Sequence, residues 1–295
     1  MYFVMDVGGN YIKSGRVNDQ GDLIESFPSV KTPLDLPGFE KALEKVLSSL
    51  NEKDRGIAIS HTGIVDDDRG VLVFNGSLPF LKGYPYREKL QQQYQKKINL
   101  INDGQAAVIA EHQLGALKGV ANGLALTLGT GLALGIIIDH KLYKGSHNVA
   151  GEVSFILPEY SATPLVRQGG VFNFVRPANH LLDCKDENDA ENVFKAIRAN
   201  HQPVINLFND YCRVIATLIY NLHLVFDVER IAIGGGISNE PLMIEGIRNA
   251  YHALYENHPS FVFREEIFEP APLTTCHFKN GANLLGAYLY AKTSL

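Results

Sequence analysis

The chain has 295 residues, of which 45% are hydrophobic and 20% are charged, and its formal net charge is −5. This length is enough for two domains with separate cores, and the composition excludes a disordered or fibrous protein. The negative charge and scattered basic residues exclude a nucleic-acid-binding surface, because the densest basic segment, Gln95-Lys96-Lys97, is better explained as a solvated helix end. The three cysteines are far apart and form neither a disulfide framework nor a zinc-binding pattern, which favours a reducing cytoplasm.

The N-terminal residues 1–5 are apolar, but they lack a basic leader and are followed at once by Asp6 and Gly8. They therefore predict a first strand and not a signal peptide. No apolar run is long enough to cross a membrane. We expect a soluble, cytoplasmic protein without a membrane partner.

The first half of the sequence predicts strands that alternate with helices. Apolar runs predict strands over residues 2–6, 11–17, 56–60 and 98–101. Helical spacing of apolar residues predicts helices over residues 39–50 and 105–117. The glycine turn after the first strand leads into a hairpin, so it fits neither a P-loop nor a dinucleotide fingerprint, both of which require the glycines to open a helix.

The second half begins with the same arrangement of a strand, a glycine turn and a strand. Strands are predicted over 123–128, 132–138 and 230–233, and helices over 171–182, 204–226 and 281–292. The repeated arrangement predicts two related α/β lobes with a ligand cleft between them. We place the N-terminal lobe at residues 1–116, completed by the C-terminal helix 281–295, and the larger lobe at residues 117–280.

Two glycine-rich turns, at residues 6–10 (DVGGN) and 127–131 (TLGTG), each follow an apolar run. Glycine has no Cβ, so the backbone N–H groups of such turns can approach a phosphate closely. Asn102 and Asp103 lie between the two turns in the sequence, and Asp103 is a candidate base for a hydroxyl that attacks the bound phosphate. The alternative is that Asn102 and Asp103 merely cap the following helix. Together the features indicate phosphoryl transfer.

Taken in order, these motifs resemble the ROK family of sugar kinases and sugar-responsive repressors. The motifs are D-V-G-G-N-x-x-K at residues 6–13, N-D at 102–103, L-G-T-G and G-E-V-S-F in the middle, and I-G-G-G-I-S late in the chain. The resemblance covers essentially the whole chain. It implies an α/β fold of the actin-like (ribonuclease H-like) two-lobe ATPase class, ATP with magnesium as the phosphoryl donor, and a homodimer.

The resemblance also implies roles for individual residues. Asp103 corresponds to the catalytic aspartate that takes the proton from the sugar hydroxyl. The positions that correspond to ATP-binding residues are Gly8, Gly9, Asn10, Lys13, Gly129, Thr130, Gly131, Gly234, Gly235 and Gly236. The positions that correspond to sugar-binding residues are Gly63, Phe80, Asn102, Asp103, Glu152 and Phe155. Asn10 departs from the family pattern, which usually has threonine there.

Three departures from the family concern the sugar site. Phe155 replaces the histidine of the family motif G-E-x-G-H, and Phe80 stands where many members have a sugar-binding asparagine. Residues 156–170 contain no cysteine, so no structural zinc is expected. Aromatic faces stack on sugar C–H faces, so Phe80 and Phe155, together with Tyr84, are candidates for binding the aglycone of a β-glucoside. The alternative is that both phenylalanines belong to the core.

These features predict a kinase that phosphorylates the 6-hydroxyl of a glucosyl unit, in a β-glucoside such as cellobiose, as in the zinc-free branch of the family that contains β-glucoside kinases. An N-acetylmannosamine kinase or another hexose kinase is the first alternative. A non-catalytic sugar sensor is the second, because Asn10, Gly104 and Gln105 depart from the usual pattern. The retained Asp103 argues against a sensor. We expect no helix-turn-helix domain, because the first strand is predicted from residue 2.

Overall fold

The computed structural model describes residues 1–158, 163–258 and 269–293. The chain divides into two compact units. Unit 1 contains Met1–Gly115, Leu142–Gly151 and Asn280–Leu295, and unit 2 contains Ala116–Lys141 and Glu152–Lys279. The segment Leu142–Gly151 therefore lies in unit 1, although the predicted boundaries assign it to the second lobe.

The strands are numbered in chain order. They are β1 (Tyr2–Val7), β2 (Tyr11–Val17), β3 (Leu23–Lys31), β4 (Gly56–His61), β5 (Ile64–Asp66), β6 (Val71–Phe74), β7 (Lys97–Asn102), β8 (Gly123–Leu128), β9 (Leu132–Ile138), β10 (Lys141–Leu142), β11 (Arg230–Gly234) and β12 (Leu273–Thr275).

The helices are numbered in the same way. They are α1 (Leu36–Leu47), α2 (Tyr86–Tyr94), α3 (Asp103–Leu114), α4 (Val166–Gly169), α5 (Phe172–Leu181), α6 (Ala190–Arg198), α7 (Gln202–Phe226), α8 (Pro241–Glu256) and α9 (Ala282–Thr293). Short 3₁₀ turns lie at Pro79–Leu81, Val153–Phe155, Gly236–Asn239 and Lys279–Gly281.

The main sheet of unit 1 has the strand order β3-β2-β1-β4-β7. The β1–β2 and β2–β3 pairs are antiparallel, whereas β4 runs parallel to β1, and β7 runs parallel to β4. Every residue of β1 and β4 is buried, as expected for central strands that are covered on both faces. The parallel part of the sheet brings the carboxyl ends of β1, β4 and β7 to one edge.

The main sheet of unit 2 repeats this arrangement in the order β10-β9-β8-β11-β12. Strands β8 and β9 form an antiparallel hairpin, and β11 and β12 add parallel to the other side of β8. Each unit thus starts with a central strand, turns back through a glycine-containing hairpin and then adds two parallel strands. This repetition agrees with the two related lobes inferred from the glycine turns.

Helix α9 packs on α3 at very short range within unit 1. A Cβ atom added to Gly286 of α9 would lie 1.8 Å from the backbone oxygen of Ala106 in α3. Gly286 is therefore required for the two helix backbones to approach this closely. Because α3 begins at Asp103, this packing also fixes the helix that carries the candidate catalytic residue.

Two helix starts differ from the spacing-based predictions because capping decides them. Helix α1 begins at Leu36 instead of residue 39, since Asp35 accepts a hydrogen bond from the Gly38 N–H at 2.8 Å and Pro37 occupies the first turn. Helix α3 begins at Asp103 instead of residue 105 because Asn102 is the N-cap, and it ends at Leu114 before Gly115.

None of the helices in the described ranges is long and apolar enough to cross a membrane.

We expect Gly286→Ala to destabilise the protein by about 2 kcal/mol, because the new methyl group forces α9 away from α3. This loss should exceed the gain of about 1 kcal/mol that alanine brings in helix propensity. Gly281→Ala is the matched control, since no atom lies within 4 Å of its Cβ position. Urea denaturation followed by circular dichroism would measure both variants. Equal stability of the two variants would contradict the close packing inferred for Gly286.

Candidate active site

Three of the predicted site segments meet at one edge of the sheet in unit 1. In the register of the parallel strands, Val7 pairs with His61, and His61 pairs with Asn102. The Thr62 N–H extends this pairing by donating to the Val7 oxygen at 3.1 Å. The residues that follow these strands, including Gly8, Gly63 and Asp103, are therefore neighbours. This is the edge at which open α/β sheets bind their ligands.

The first glycine turn connects β1 to β2 and is fixed by hydrogen bonds on both sides. The Gly8 N–H donates to the Tyr11 oxygen at 3.1 Å, and Thr32 binds both the Gly8 oxygen and the Asn10 oxygen, at 2.8 and 2.9 Å. A Cβ added to Gly9 would lie 3.0 Å from the Cβ of Ser77, so the turn passes that residue closely. Asn10 is exposed to solvent. The turn is thus pre-formed before any ligand binds.

Asp6 is a buried carboxylate at the end of β1, directly before this turn. Its Oδ1 accepts hydrogen bonds from Ser60 Oγ and Asn283 Nδ2, both at 3.1 Å. Burial raises the pKa of Asp6, although the hydrogen bond from Asn283 and the positive charge of Lys13, its cross-strand partner, oppose the rise. Sequence reasoning did not select Asp6 as a site residue. Its signal was a lone charged residue at the end of an apolar strand, immediately before glycines.

Asn102 and Asp103 have different positions at the start of α3. Asn102 is the N-cap, because its Oδ1 accepts from the Gln105 N–H at 3.0 Å. Its Nδ2 donates to the Gly63 oxygen at 2.9 Å and to Asp103 Oδ1 at 3.0 Å. The Gly104 N–H donates to the same Asp103 oxygen at 2.8 Å. The capping alternative is therefore satisfied by Asn102, while Asp103 lies in the first turn, where the helix dipole favours an anion.

Gly63 occupies a backbone conformation that glycine favours. Its φ angle is +93°, and a Cβ there would lie 2.3 Å from the Phe74 oxygen. The backbone oxygen of Gly63 accepts the hydrogen bond from Asn102 Nδ2. The predicted site residues Gly63, Asn102 and Asp103 are thus brought together by direct hydrogen bonds.

Phe80 and Tyr84 are core residues to different degrees. Phe80, in the 3₁₀ turn Pro79–Leu81, is half-buried and packs edge-on against Phe39, with ring centroids 6.2 Å apart. Tyr84 is buried, and its ring lies 4.7 Å from that of Tyr86. Part of the Phe80 ring therefore remains available to a ligand, whereas Tyr84 mainly fills the core.

His61 is a fully buried neutral histidine at the end of β4. Its Nδ1 lies 2.7 Å from the Thr62 oxygen, which can only accept, so Nδ1 carries the proton. Its Nε2 lies 2.7 Å from the Tyr86 hydroxyl and therefore accepts from it. Burial lowers the pKa of His61 to about 4, while the hydrogen bond to Thr62 partly opposes this.

The second glycine turn, Gly129 to Gly131, lies between β8 and β9 in unit 2. The Gly129 N–H donates to the Gly131 oxygen at 3.0 Å, and the Val171 N–H donates to the Gly129 oxygen at 2.9 Å. Thr130 at the tip is exposed. As in the first turn, internal hydrogen bonds hold the backbone while the tip faces outward.

The glycines Gly234, Gly235 and Gly236 lie beside this second turn. In the parallel β8–β11 register, Gly234 pairs with Thr127. Gly235 has a φ of +95°, and a Cβ there would lie 2.0 Å from the Leu128 oxygen, so only glycine fits. Two of the predicted nucleotide-binding segments are thus adjacent within unit 2.

Glu152 and Phe155 are placed in unit 2 by the 3₁₀ turn Val153–Phe155. Ser154 Oγ holds this turn against β9, because it accepts from the Leu132 N–H and donates to the Leu132 oxygen, both at 2.9 Å. Partial burial raises the pKa of Glu152. The Phe155 residue is 49% exposed, so it is not a core residue. The alternative that Phe155 belongs to the core is therefore wrong.

Within residues 1–158, 163–258 and 269–293, no group of three or more His, Cys, Asp and Glu side chains could hold a metal ion. Residues 159–162 of the segment predicted to lack a zinc loop are outside the described residues.

We expect the buried His61 to make the stability of the protein fall between pH 7 and pH 5. The unfolded histidine binds a proton below its pKa of 6.5, whereas the folded one stays neutral until about pH 4. Stability is therefore lost as the pH falls through this window, by about 2 kcal/mol between pH 7 and pH 5. Urea unfolding at these two pH values would measure this loss of stability. The loss should be about 2 kcal/mol smaller in His61→Gln than in the wild type.

His147→Gln, at an exposed histidine, is the matched control, because it removes an imidazole without touching His61 and should keep the pH dependence of the wild type. Parallel pH curves for the wild type and His61→Gln would show that His61 does not cause the loss.

Three comparisons relate this arrangement to known proteins. The sequence profile of the ROK family matches residues 2–170 and 176–294. An N-acetylmannosamine kinase from Haemophilus influenzae is 28% identical over 298 residues, covering 99% of this chain and 95% of the relative. A beta-glucoside kinase from Listeria monocytogenes is 28% identical over 293 residues, covering 96% and 94%.

A solved structure has the same fold. It is a ROK family glucokinase from Streptomyces griseus in complex with glucose and AMPPNP, with a TM-score of 0.84, 24% identity and coverage of 99% of both chains. The predicted actin-like, two-lobe α/β fold class is confirmed. The chain therefore belongs to the ROK family, in which it is a carbohydrate kinase.

Proposed function

We propose that the protein transfers the γ-phosphate of ATP to the 6-hydroxyl of a glucosyl unit, in a β-glucoside such as cellobiose. The observation that carries this proposal is the position of Asp103. Asp103 is the first residue of α3, at the sheet edge that also carries the first glycine turn. Its carboxylate is linked through the side chain of Asn102 to the backbone oxygen of Gly63. The candidate base after β7 and the glycine turn after β1 thus lie at the same edge of one sheet, with β4 between the two strands.

Asp103 acts as the general base in this proposal. One carboxylate oxygen, Oδ1, accepts from the Gly104 N–H and from Asn102, which orients the group. The carboxylate takes the proton of the sugar hydroxyl as the hydroxyl oxygen attacks the γ-phosphorus, and the bond between that phosphorus and the β–γ bridging oxygen breaks. The products are the sugar phosphate and ADP.

The two glycine turns and Gly234, Gly235 and Gly236 bind the nucleotide. Both turns are held by their own hydrogen bonds, so little reorganisation is needed when N–H groups bind a phosphate. Asn10 replaces a hydroxyl with an amide, which can still donate to a phosphate oxygen. The complex of the Streptomyces griseus glucokinase with AMPPNP supports ATP as the donor.

Magnesium fits the residues at the first turn. Mg²⁺ is typically bound through one or two carboxylates, with substrate phosphates and water as the other ligands. Asp6 is a carboxylate directly before the turn, and it would hold the ion together with the nucleotide. Bound in this way, the ion would neutralise charge on the transferring phosphoryl group. No larger protein cage is required.

The acceptor is inferred from the aromatic residues on the sugar side. The exposed Phe155 ring, close in sequence to the candidate sugar ligand Glu152, offers an apolar face next to the sugar. Phe80 contributes the part of its ring that does not pack on Phe39. The similarity to the beta-glucoside kinase of Listeria monocytogenes supports an acceptor with an aglycone.

N-acetylmannosamine is the second candidate acceptor. The N-acetylmannosamine kinase of Haemophilus influenzae is as similar to this chain as the beta-glucoside kinase is, at 28% identity. That acceptor would require a pocket for an acetamido group in place of an aglycone. Turnover of N-acetylmannosamine and not of cellobiose would establish this alternative, and sugar binding without turnover would establish a sensor.

We also propose a cytoplasmic homodimer that requires no zinc.

We expect Asp103→Asn to lower kcat by about 10²- to 10⁴-fold, because asparagine cannot accept the hydroxyl proton. The amide keeps the size of the side chain, so the KM for the sugar should change little. Coupled ADP release with cellobiose, aryl β-glucosides, glucose, mannose and N-acetylmannosamine would measure both constants. Glu52→Gln, at an exposed carboxylate of unit 1, is the control. A kcat for Asp103→Asn close to that of this control would remove Asp103 from the mechanism.

We expect Phe155→His to lower kcat/KM for cellobiose relative to glucose by about tenfold, because loss of the apolar ring removes roughly 1.4 kcal/mol of contact with the aglycone. Histidine also restores a hydrogen-bonding group to the glucosyl unit. Leu157→His, two residues away and 56% exposed, is the matched control. An unchanged ratio in Phe155→His, or the same change in both variants, would disprove the proposed role of Phe155.

A further inference from the structure

A charged cluster in unit 1 holds the chain just before Glu152. Lys144 Nζ binds both carboxylate oxygens of Asp67, at 2.9 and 2.7 Å. The hydroxyl of Tyr290, on α9, donates to Asp67 Oδ2, and the Lys144 ammonium lies 5.9 Å from the Tyr290 ring centroid. Asp67 is only 8% exposed. The carboxylate of the pair is therefore shielded from water, while Lys144 is 28% exposed, so the pair is stronger than one between two fully exposed side chains.

The Asp67 side of the cluster is itself fixed. Asp67 lies in the turn between β5 and β6, where the Gly70 N–H donates to the Asp66 oxygen at 2.8 Å. Arg87 of α2 donates to the backbone oxygens of Asp67 and Asp68. Burial alone would raise the pKa of Asp67, but the hydrogen bonds from Lys144 and Tyr290 lower it. Asp67 is thus a rigid anchor.

Lys144 begins a loop that continues along the chain to Glu152, the proposed sugar ligand. The Lys144 oxygen accepts from the Ala150 N–H at 3.2 Å, which closes residues 144–150 into a loop. Gly145 in this loop has a φ of +71°, and its Cβ position lies 3.3 Å from Ala150 Cβ. Ala150 is two residues before Glu152. The ion pair therefore holds the first end of the loop, and the backbone hydrogen bond ties the second end, two residues before Glu152, to the first.

Lys144 lies in a segment of unit 1 that interrupts unit 2 along the chain. The segment Leu142–Gly151 belongs to unit 1, whereas the residues on either side of it belong to unit 2. Within unit 1, the cluster joins this segment to the β5–β6 turn, to α2 and to α9. The side chain that holds the segment from within is Lys144. Its loss would release the chain immediately before Glu152.

We propose that Lys144, Asp67 and Tyr290 are positioning residues that fix Glu152 for sugar binding, without taking part in phosphoryl transfer. This inference rests on the proposed role of Glu152 as a sugar ligand. If the loop samples other positions, only a fraction of the molecules can bind the sugar, and the apparent affinity falls by that fraction. The cluster thus controls KM for the sugar and leaves the chemical step unchanged.

The test compares Lys144→Met and Asp67→Asn with the wild type in steady-state kinetics, using whichever sugar the wild type phosphorylates. Both variants should raise KM for the sugar by about tenfold, which equals about 1.4 kcal/mol. The kcat and the KM for ATP should stay within about twofold. Lys144→Arg should restore much of the affinity, since arginine can bind both oxygens of Asp67.

Arg55→Met is the matched control. Arg55 forms an ion pair with Asp19 in unit 1, but it precedes β4 and so lies at the opposite end of that strand from Gly63. This variant should leave all three constants unchanged. A fall in kcat, a change in the KM for ATP, or an unchanged sugar KM in the two cluster variants would overturn the inference.

Two further measurements separate this inference from the proposed function. Hydrogen–deuterium exchange of residues 145–151 without substrates should become faster in Lys144→Met and not in Arg55→Met, and unchanged exchange would also overturn the inference. Glu152→Gln should raise the KM for the sugar. If it does and Lys144→Met does not, positioning is wrong while the role of Glu152 stands. If Glu152→Gln leaves KM unchanged, the proposed sugar contact is wrong, and the positioning inference falls with it.

Discussion

The side chain of Asn102 is the interaction on which the site in unit 1 depends. One amide group caps α3, binds the carbonyl of Gly63 and contacts the carboxylate of Asp103. It therefore joins the ends of two parallel strands to the start of the helix that carries the candidate base. A buried group with all of these partners is costly to displace, because each unmade hydrogen bond leaves a polar atom without compensation. The geometry around Asp103 is thus a consequence of backbone topology.

The two units apply the same topology to different tasks. In both, a central strand leads through a glycine turn into a hairpin, and a parallel strand pairs beside it. In unit 1, the carboxyl ends of the parallel strands carry Asp6, Gly63 and Asp103, which include the proposed metal ligand and the proposed base. In unit 2, the corresponding edge carries Gly234 to Gly236, which leave room for a ligand. The same topology thus carries acidic residues at the strand ends of unit 1 and three consecutive glycines after β11 in unit 2.

Much of this arrangement could be predicted from the sequence, and the exceptions have physical causes. The predicted strands 123–128 and 132–138 coincide with β8 and β9, because continuous apolar runs bounded by glycines are strong local signals. Strand β3 and helix α2 were missed, since β3 is exposed along most of its length and α2 is mainly polar. Strand β3 is held by pairing with β2, and α2 packs on β7 and β6, and neither element carries an apolar pattern of its own that would reveal it. The candidate site residues rest on the order of the motifs, whereas the sequence signals Asp6 only as a lone charge at the end of an apolar strand.

The segment Leu142–Gly151 marks the limit of what local sequence patterns reveal. Its place in unit 1 depends on Lys144 and Asp67, which are 77 positions apart in the chain, so no window of sequence could reveal it. Asp103 is held by Asn102 and Gly104, its neighbours in the chain, whereas the loop before Glu152 is attached to unit 1 through the Lys144–Asp67 ion pair. Under the proposed role of Glu152, changes in that loop alter the contact with the sugar while the geometry around Asp103 remains intact. If Phe155 binds the acceptor as proposed, the substrate can change without rebuilding the edge of the sheet that carries Asp103.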